Sequence, residues 1–286
     1  MASFSWRQWT AITGGAILFT SLFFINRKPP KAETTTPQAN GHTVQAVSID
    51  SIFNQAEVQV PALVRERLNN IKGALSGSSP DAQFKLLTSI VRLYDSVGAQ
   101  LPATFYIEKM AALQNSSDLW CRAGDNYYKC AEIVNPNARD PLLKRAITCY
   151  NSALSADSAN IDAKIGKGEC IVQGGGNPME GIMMIEGVLK KDSNNEKAQI
   201  ALGAFSIQSG QFPKAISRFK KVLKIDPSYI EAYLYLAQAY ENSGDKSSAV
   251  LNLEKYNTFA TDSAIKIQVN NYIKKLENDT TGQNNK

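Results

Sequence analysis

The sequence predicts an all-α protein, a solenoid of antiparallel helix pairs behind a single N-terminal transmembrane helix. Three observations point there. A unit of 34 residues is written twice between Glu196 and Asp262: Gly210 falls over Gly244, Leu202 over Leu236, Gly203 over Ala237, Ala215 over Ala249 and Phe219 over Leu253. A period of that length marks a helical repeat array. Each unit holds two apolar faces at helical spacing with a short Gly-containing break between them, and helices joined by so short a turn pack antiparallel. Finally, Trp9 to Ile25 (WTAITGGAILFTSLFFI) is strongly apolar and carries no charge.

That run of 17 residues is the short end of what spans a bilayer, at about 1.5 Å per residue. Trp6 and Trp9 on one side and Arg27 and Lys28 on the other suit interfacial anchoring. A cleaved signal peptide would place small residues just after the run, whereas Phe23-Phe24-Ile25-Asn26-Arg27 stands there. Residues 1–28 are therefore read as an uncleaved anchor, against the alternatives of a signal peptide or a buried helix. Arg27, Lys28 and Lys31 against Arg7 and the amino terminus favour a cytoplasmic carboxyl-terminal side by one charge, a margin that leaves the periplasmic side open. Residues 29–48 (PPKAETTTPQANGHTVQAVS) hold three prolines and almost no large apolar residue, and read as a flexible linker.

Residues 49–116 form a divergent helical region. Pro61 opens VPALVRERLNNIKGAL, Ser-Gly-Ser-Ser-Pro breaks it, and a helix from Asp81 to Val97 carries Leu87, Ile90 and Tyr94 at core spacing until Gly98. Pro102 then opens a partner with Ala103, Ile107 and Met110 on one face. Four units follow, over 117–160, 161–195, 196–229 and 230–263. In the first, Trp120, Ala123-Gly124 and Tyr127 pattern one helix and Ala146, Tyr150 and Ala153 the other, with about ten extra residues between them, including EIVNPNARDP at 132–141. Such a lengthened segment projects from one edge of the stack, as a binding surface or as a tolerated insertion.

In the second unit Gly168 and Gly181 take the close-crossing slots and Pro178 opens the second helix. In the third, Ala198, Leu202 and Phe205 make one face, Pro213 sits where a first-turn proline is harmless, and Ile216, Phe219, Val222 and Leu223 make the next face until Asp226-Pro227 stops it. Ile265, Val269, Tyr272, Ile273 and Leu276 mark a capping helix over 264–277, since a terminal repeat needs a cover for its apolar face. The polar tail 278–286 reads as disordered.

This pattern resembles the tetratricopeptide repeat (TPR), whose signature carries an aromatic, Leu-Gly, an aromatic, a small Ala, an aromatic and a closing Pro. The 196–229 unit keeps Leu202-Gly203, Ala215, Phe219 and Pro227 but has Gln199 and Ser206 where the helix aromatics stand; the 230–263 unit restores those as Tyr233 and Tyr240, keeps Ala249, and has Thr261 in place of the Pro. The resemblance implies a concave groove lined by first helices, where extended peptides or partner helices bind. By that resemblance its exposed residues are Lys85, Thr88, Arg92, Arg122, Asp125, Tyr128, Lys129, Glu169, Ile200, Ala204, Ile207, Tyr235, Gln238 and Asn242. Chaperone-binding TPRs clamp a carboxyl terminus with Lys, Asn and Arg; Ile200, Ala204 and Glu169 stand where such groups would be needed, which speaks against that ligand.

Composition narrows the function further. The net charge is +5, of which residues 1–47 hold +3 and the remainder only +2; a nucleic-acid binder concentrates its charge on the folded part, so none is expected. The single histidine, His42, lies in the linker, which removes mechanisms needing a histidine base or metal ligand in the folded part. Cys121, Cys130, Cys149 and Cys170 are separated by 8, 18 and 20 residues with no Cys-x-x-Cys pair, so zinc or redox-motif spacing is absent. Cys149 and Cys170 fall near core positions and read as buried thiols, with a disulfide or reactive site as the alternative. Gly174-Gly175-Gly176 lacks the Gly-Lys-Ser/Thr of a phosphate loop and reads as a loosened turn. Lys214, Arg218, Lys220, Lys221 and Lys224 form a basic run on a second helix, by default a solvated outer face.

The sequence thus predicts a non-enzymatic, membrane-anchored scaffold or adaptor that binds a protein or peptide partner, without cofactor or metal. The alternative is a structural assembly factor of a membrane or envelope complex acting by self-association as a homo-oligomer. The simple tether and the absence of eukaryotic targeting features favour a bacterial inner membrane over an organelle membrane.

Overall fold

The computed structural model describes residues 48–281. The stretch 1–28 expected to be an anchor, residues 29–47 of the expected linker with His42, and the last five residues of the expected tail lie outside the described residues. Among those described there is no strand, and no helix is long and apolar enough to cross a membrane. They hold thirteen α-helices in two compact units, 48–191 and 192–281.

In the first unit α1 (Ile49–Val58) and α2 (Ala62–Leu75) precede three pairs: α3 (Pro80–Ser96) with α4 (Gln100–Gln114), α5 (Ser117–Ile133) with α6 (Pro136–Ala156), and α7 (Ile161–Cys170) with α8 (Pro178–Lys191). In the second, α9 (Glu196–Gln208) pairs with α10 (Phe212–Ile225) and α11 (Glu231–Asn242) with α12 (Lys246–Phe259), and α13 (Ser263–Thr281) packs on α12. α13 thus runs past the 277 boundary read from its apolar pattern and takes in Asn278 to Thr281.

The first helices α5, α7 and α9 begin where a short polar side chain caps them, whereas α11 starts after Ile230 without a side-chain cap. Ser116 accepts from Leu119 N, Asn160 from Ala163 N at 2.8 Å and Asn195 from Ala198 N at 2.9 Å, each satisfying an amide that the helix leaves open. Between the helices small residues set the spacing: Ala123, Ala146, Ala153, Ala163, Ala198, Ala215, Ala232 and Ala249 are all fully buried. Backbone meets backbone between α7 and α8. A Cβ on Gly168 would fall 2.8 Å from the Gly181 carbonyl oxygen and 2.7 Å from Ile185, so both positions exclude a side chain.

Two features depart from the sequence expectation. The stretch at 132–141 is not a projecting loop. It is absorbed into helix, so that α6 runs 21 residues with Pro141 inside it, and only Val134 and Asn135 separate it from α5. The reason is local: Asn135 accepts from Ala138 N at 3.1 Å and Pro136 follows at the first position, a strong helix start. The second feature is a π-turn, Ile171–Gly175, that continues α7 until Gly174 at φ 135° breaks it.

The aromatics missing from the third repeat are replaced by hydrogen-bonded polar groups. Gln199, buried at 5%, donates to Ser193 O and accepts from Arg218. The Ser206 hydroxyl, buried at 8%, donates to Leu202 O at 2.7 Å. A buried polar side chain is tolerated when its bonds are made.

Candidate functional site

All the groove residues expected from the resemblance lie on first helices: Lys85, Thr88 and Arg92 on α3, Arg122, Asp125, Tyr128 and Lys129 on α5, Glu169 on α7, Ile200, Ala204 and Ile207 on α9, and Tyr235, Gln238 and Asn242 on α11. None is fully buried; Lys85, Arg92, Arg122, Lys129 and Asn242 are exposed and the others half-buried. α5 lies against α7 and α9 against α11, which brings those rows together within each unit. α3 makes its main contacts with α2 and α4 instead, so Lys85, Thr88 and Arg92 stand as a separate row.

In the unit 48–191 the α5–α7 face is charged. Tyr128 is at its centre, with Glu169 and Glu132 as charged neighbours and Gln173 within hydrogen-bonding reach. Burial pushes the Tyr128 phenol far above its ordinary value, and the two carboxylates add to the effect. Burial also raises Glu132, opposed by Arg139, Lys129 and the Tyr128 hydroxyl. Arg139 in turn donates to Gln173 Oε1 at 2.6 Å. Further along, burial raises the Asp95 carboxyl, and the nearby Arg122 guanidinium opposes it. At neutral pH the phenol is a hydrogen-bond donor and the face offers a partner carboxylates, guanidinium and amide side by side.

Some of the expected residues serve the fold as well. The Tyr150 hydroxyl donates to Asp125 Oδ1 at 2.7 Å, and the Thr88 hydroxyl donates to Phe84 O within its own helix. Conversely, Glu132, Arg139 and Gln173 were not among the expected groove residues. The first two lie in the stretch read as an insertion and the third in the π-turn; the Asn135-Pro136 helix start was the signal that could have placed them.

In the unit 192–281 the facing rows are uncharged. Ile200, Ala204 and Ile207 face Tyr235, Gln238 and Asn242, and the Tyr235 ring stacks on the buried Phe219 ring with centroids 4.5 Å apart and planes within 4°. This is an aliphatic surface with one aromatic wall and an amide edge.

Groups that could support chemistry are committed elsewhere. The four cysteines are buried and in no disulfide; burial raises Cys130 to about 11 and Cys149 and Cys170 further, so these three are thiols at neutral pH. Among the described residues no group of His, Cys, Asp and Glu is placed to hold a metal ion. A cavity of about 160 Å³ lies among Ile49, Asp50, Phe53, Leu101, Phe105, Tyr127 and Arg145. Of its charged lining Arg145 is tied down, its guanidinium pairing with both Glu108 oxygens at 2.6 and 3.0 Å, while Asp50 is exposed in the first turn of α1.

Comparison with known proteins agrees with this architecture. Residues 207–244 match the TPR repeat family model. The probable UDP-N-acetylglucosamine–peptide N-acetylglucosaminyltransferase SPINDLY of Hordeum vulgare is 29% identical over 109 residues, or 38% of this chain and 11% of the relative; the chain spans about a tenth of that protein's length. Among solved structures, a tetratricopeptide repeat protein from Parabacteroides merdae superposes with a TM-score of 0.57 at 15% identity, over 80% of this chain and 86% of its own. PilW, a widely conserved type IV pilus biogenesis factor, gives 0.54 at 18% identity, over 69% and 87%. At these identities the likeness establishes the fold, and the fold of this chain is the all-α, TPR-type array of antiparallel helix pairs.

Proposed function

We propose that the protein is a non-catalytic scaffold whose first-helix faces bind protein partners, and that the apolar run at 9–25 anchors it in a membrane, with a bacterial inner membrane as the setting. The observation that carries the reading is the pair of half-exposed first-helix faces. The α5–α7 face clusters Tyr128, Glu132, Arg139, Glu169 and Gln173, and the α9–α11 face leaves Ile200, Ile207 and Tyr235 partly open to solvent. Aromatic and arginine side chains beside partly exposed apolar surface are the usual anchors of interfaces. A membrane tether would raise the local concentration of such a scaffold at the bilayer.

The test is site-specific photo-crosslinking in cells from Arg122 and Gln238, with the exposed Thr148 on the second helix α6 as reference. A discrete partner captured at the first two positions, with the capture at Arg122 lost in Tyr128→Ala, supports the reading; crosslinks indistinguishable from those at Thr148 would sink it. Protease accessibility of residues 49–277 in intact and in permeabilised cells decides the side of the membrane.

A second reading, assembly by self-association, is favoured by one observation. Met179 and Met183 lie one turn apart on α8 at 59% and 64% exposure, and methionine pairs suit adaptable apolar contacts. A monomer by size measurement in detergent would remove it.

A further inference from the structure

The outer face of α10 differs from those of the other second helices. α4, α6, α8 and α12 each mix acidic with basic residues, whereas α10 carries five basic residues and no acidic one. Lys214, Ser217, Lys221 and Lys224 follow one another at helical spacing along its outward side with Lys220 beside them, while Ala215, Phe219 and Val222 are buried opposite. Arg218 is turned toward α9, where it donates to Gln199. Among the described residues none of the four lysines has an ion-pair partner: Lys214 donates to Gln211 Oε1, and Lys220 lies over the Tyr240 ring at 5.6 Å.

We propose that this face of α10 lies on an anionic phospholipid surface. Like charges three and four residues apart destabilise a helix; the helix C-terminus offsets this for Lys224 in the last turn, and an external plane of negative charge would offset it along the whole stripe. The lysines extend about 15 Å along the helix axis, a flat stripe matched to headgroups spread over a surface. A nucleic-acid site would call for charge across the whole domain and aromatic or amide side chains interleaved to read it. Here the charge is gathered on α10, and the Gln211 amide and Tyr240 ring beside it are engaged by Lys214 and Lys220. Each lysine near such a surface strengthens association roughly fivefold, so four of them act weakly on a free protein and strongly on one already held at a bilayer. The contact is separate from the first-helix faces and does not depend on their binding anything.

The experiment uses the full chain with Ser217→Cys carrying a fluorescent donor; the native thiols are buried, so labelling is selective. Energy transfer to an acceptor lipid is measured on phosphatidylcholine vesicles with and without phosphatidylserine. The expected result is transfer that rises with phosphatidylserine and falls back as salt goes from about 0.05 M to about 0.5 M. It should be lost when Lys214, Lys220, Lys221 and Lys224 are all changed to Gln, and kept when they are changed to Arg. Equal transfer with and without phosphatidylserine, or a Gln variant that matches the parent, would overturn the proposal. So would quenching of the vesicle signal by duplex DNA at physiological salt, which would assign the stripe to nucleic acid. Arg122→Glu with Tyr128→Ala should leave the transfer unchanged, which separates this outcome from failure of the scaffold reading.

Discussion

The two units fill the same kind of helix pair in different ways, and the difference explains their surfaces. In residues 48–191 the large buried side chains are tyrosines whose hydroxyls end on carboxylates: Tyr94 on Glu57 at 2.6 Å, Tyr127 on Glu108 at 2.8 Å and Tyr150 on Asp125 at 2.7 Å. In residues 192–281 the corresponding space is filled by Phe219, Leu234, Leu236 and Leu253, with the Phe219–Tyr235 stack beside them; the Tyr272 hydroxyl there also ends on a carboxylate, Glu241 at 2.6 Å, but from a half-buried ring on the last helix. A buried phenol needs an acceptor, and the acceptor brings charge to the edge of the core. Asp125 is the clearest case, since it stands in the α5 row and holds Tyr150. The charged face of one unit and the neutral face of the other therefore follow partly from how each core was filled, before any partner is considered.

The largest effect should come from the apolar solution. Phe219→Ala removes a fully buried ring and takes away the stacking surface under Tyr235, with an expected loss of about 3–5 kcal/mol by urea denaturation. Gly168→Ala comes next, at about 1–3 kcal/mol, because its Cβ would meet the Gly181 backbone, which cannot yield. Gly203→Ala meets the Phe219 ring at 2.9 Å, a side chain with some freedom to shift, and should cost less. If Gly203→Ala proved the worse of the two, the α7–α8 crossing would not be the tighter one.

The close-crossing glycines also show what was legible in the sequence. Gly168, Gly181 and Gly203 could be placed because a period of 34 residues, 35 where the turn after α7 holds one more, aligns each with its counterparts, and periodicity sees residue size. It does not see where a hydroxyl points. The Tyr–carboxylate pairs join residues 37, 19 and 25 positions apart, at no repeating interval. The stretch at 132–141 was misplaced for a related reason: measured against the repeat length it is surplus, and surplus reads as loop. Asn135 and Pro136 instead begin a helix there, and Arg139 lands beside Gln173.

A smaller effect tests the tyrosine solution. Tyr127→Phe deletes one hydroxyl, but Glu108 keeps its two bonds from Arg145, so no buried charge is orphaned. The expected loss is about 1 kcal/mol. A loss as large as that of Phe219→Ala would mean that the phenol, rather than the arginine, secures Glu108.

The smallest effects divide two carboxylates, one in each unit, by sign. Burial alone would raise the Glu57 carboxyl, but the bonds from Lys72 and Tyr94 reverse this and hold it below its ordinary value. Its contribution is therefore present above the unfolded value, about 4.3, and disappears as pH falls through the folded one. Burial raises Glu231, with Asp226 adding to the effect and its own backbone N–H opposing it. Ionised Glu231 is thus a liability at neutral pH that protonation relieves as pH falls through the raised value. Glu57→Gln should destabilise at pH 7 and converge with the parent in acid. Glu231→Gln should stabilise at pH 7, by a little, because Glu231 sits in the first turn of α11 where the helix dipole favours a negative charge. Urea midpoints for both variants at pH 7 and near pH 4 check this, and shifts of the same sign at pH 7 would show that Glu57 and Glu231 are not set by opposite terms.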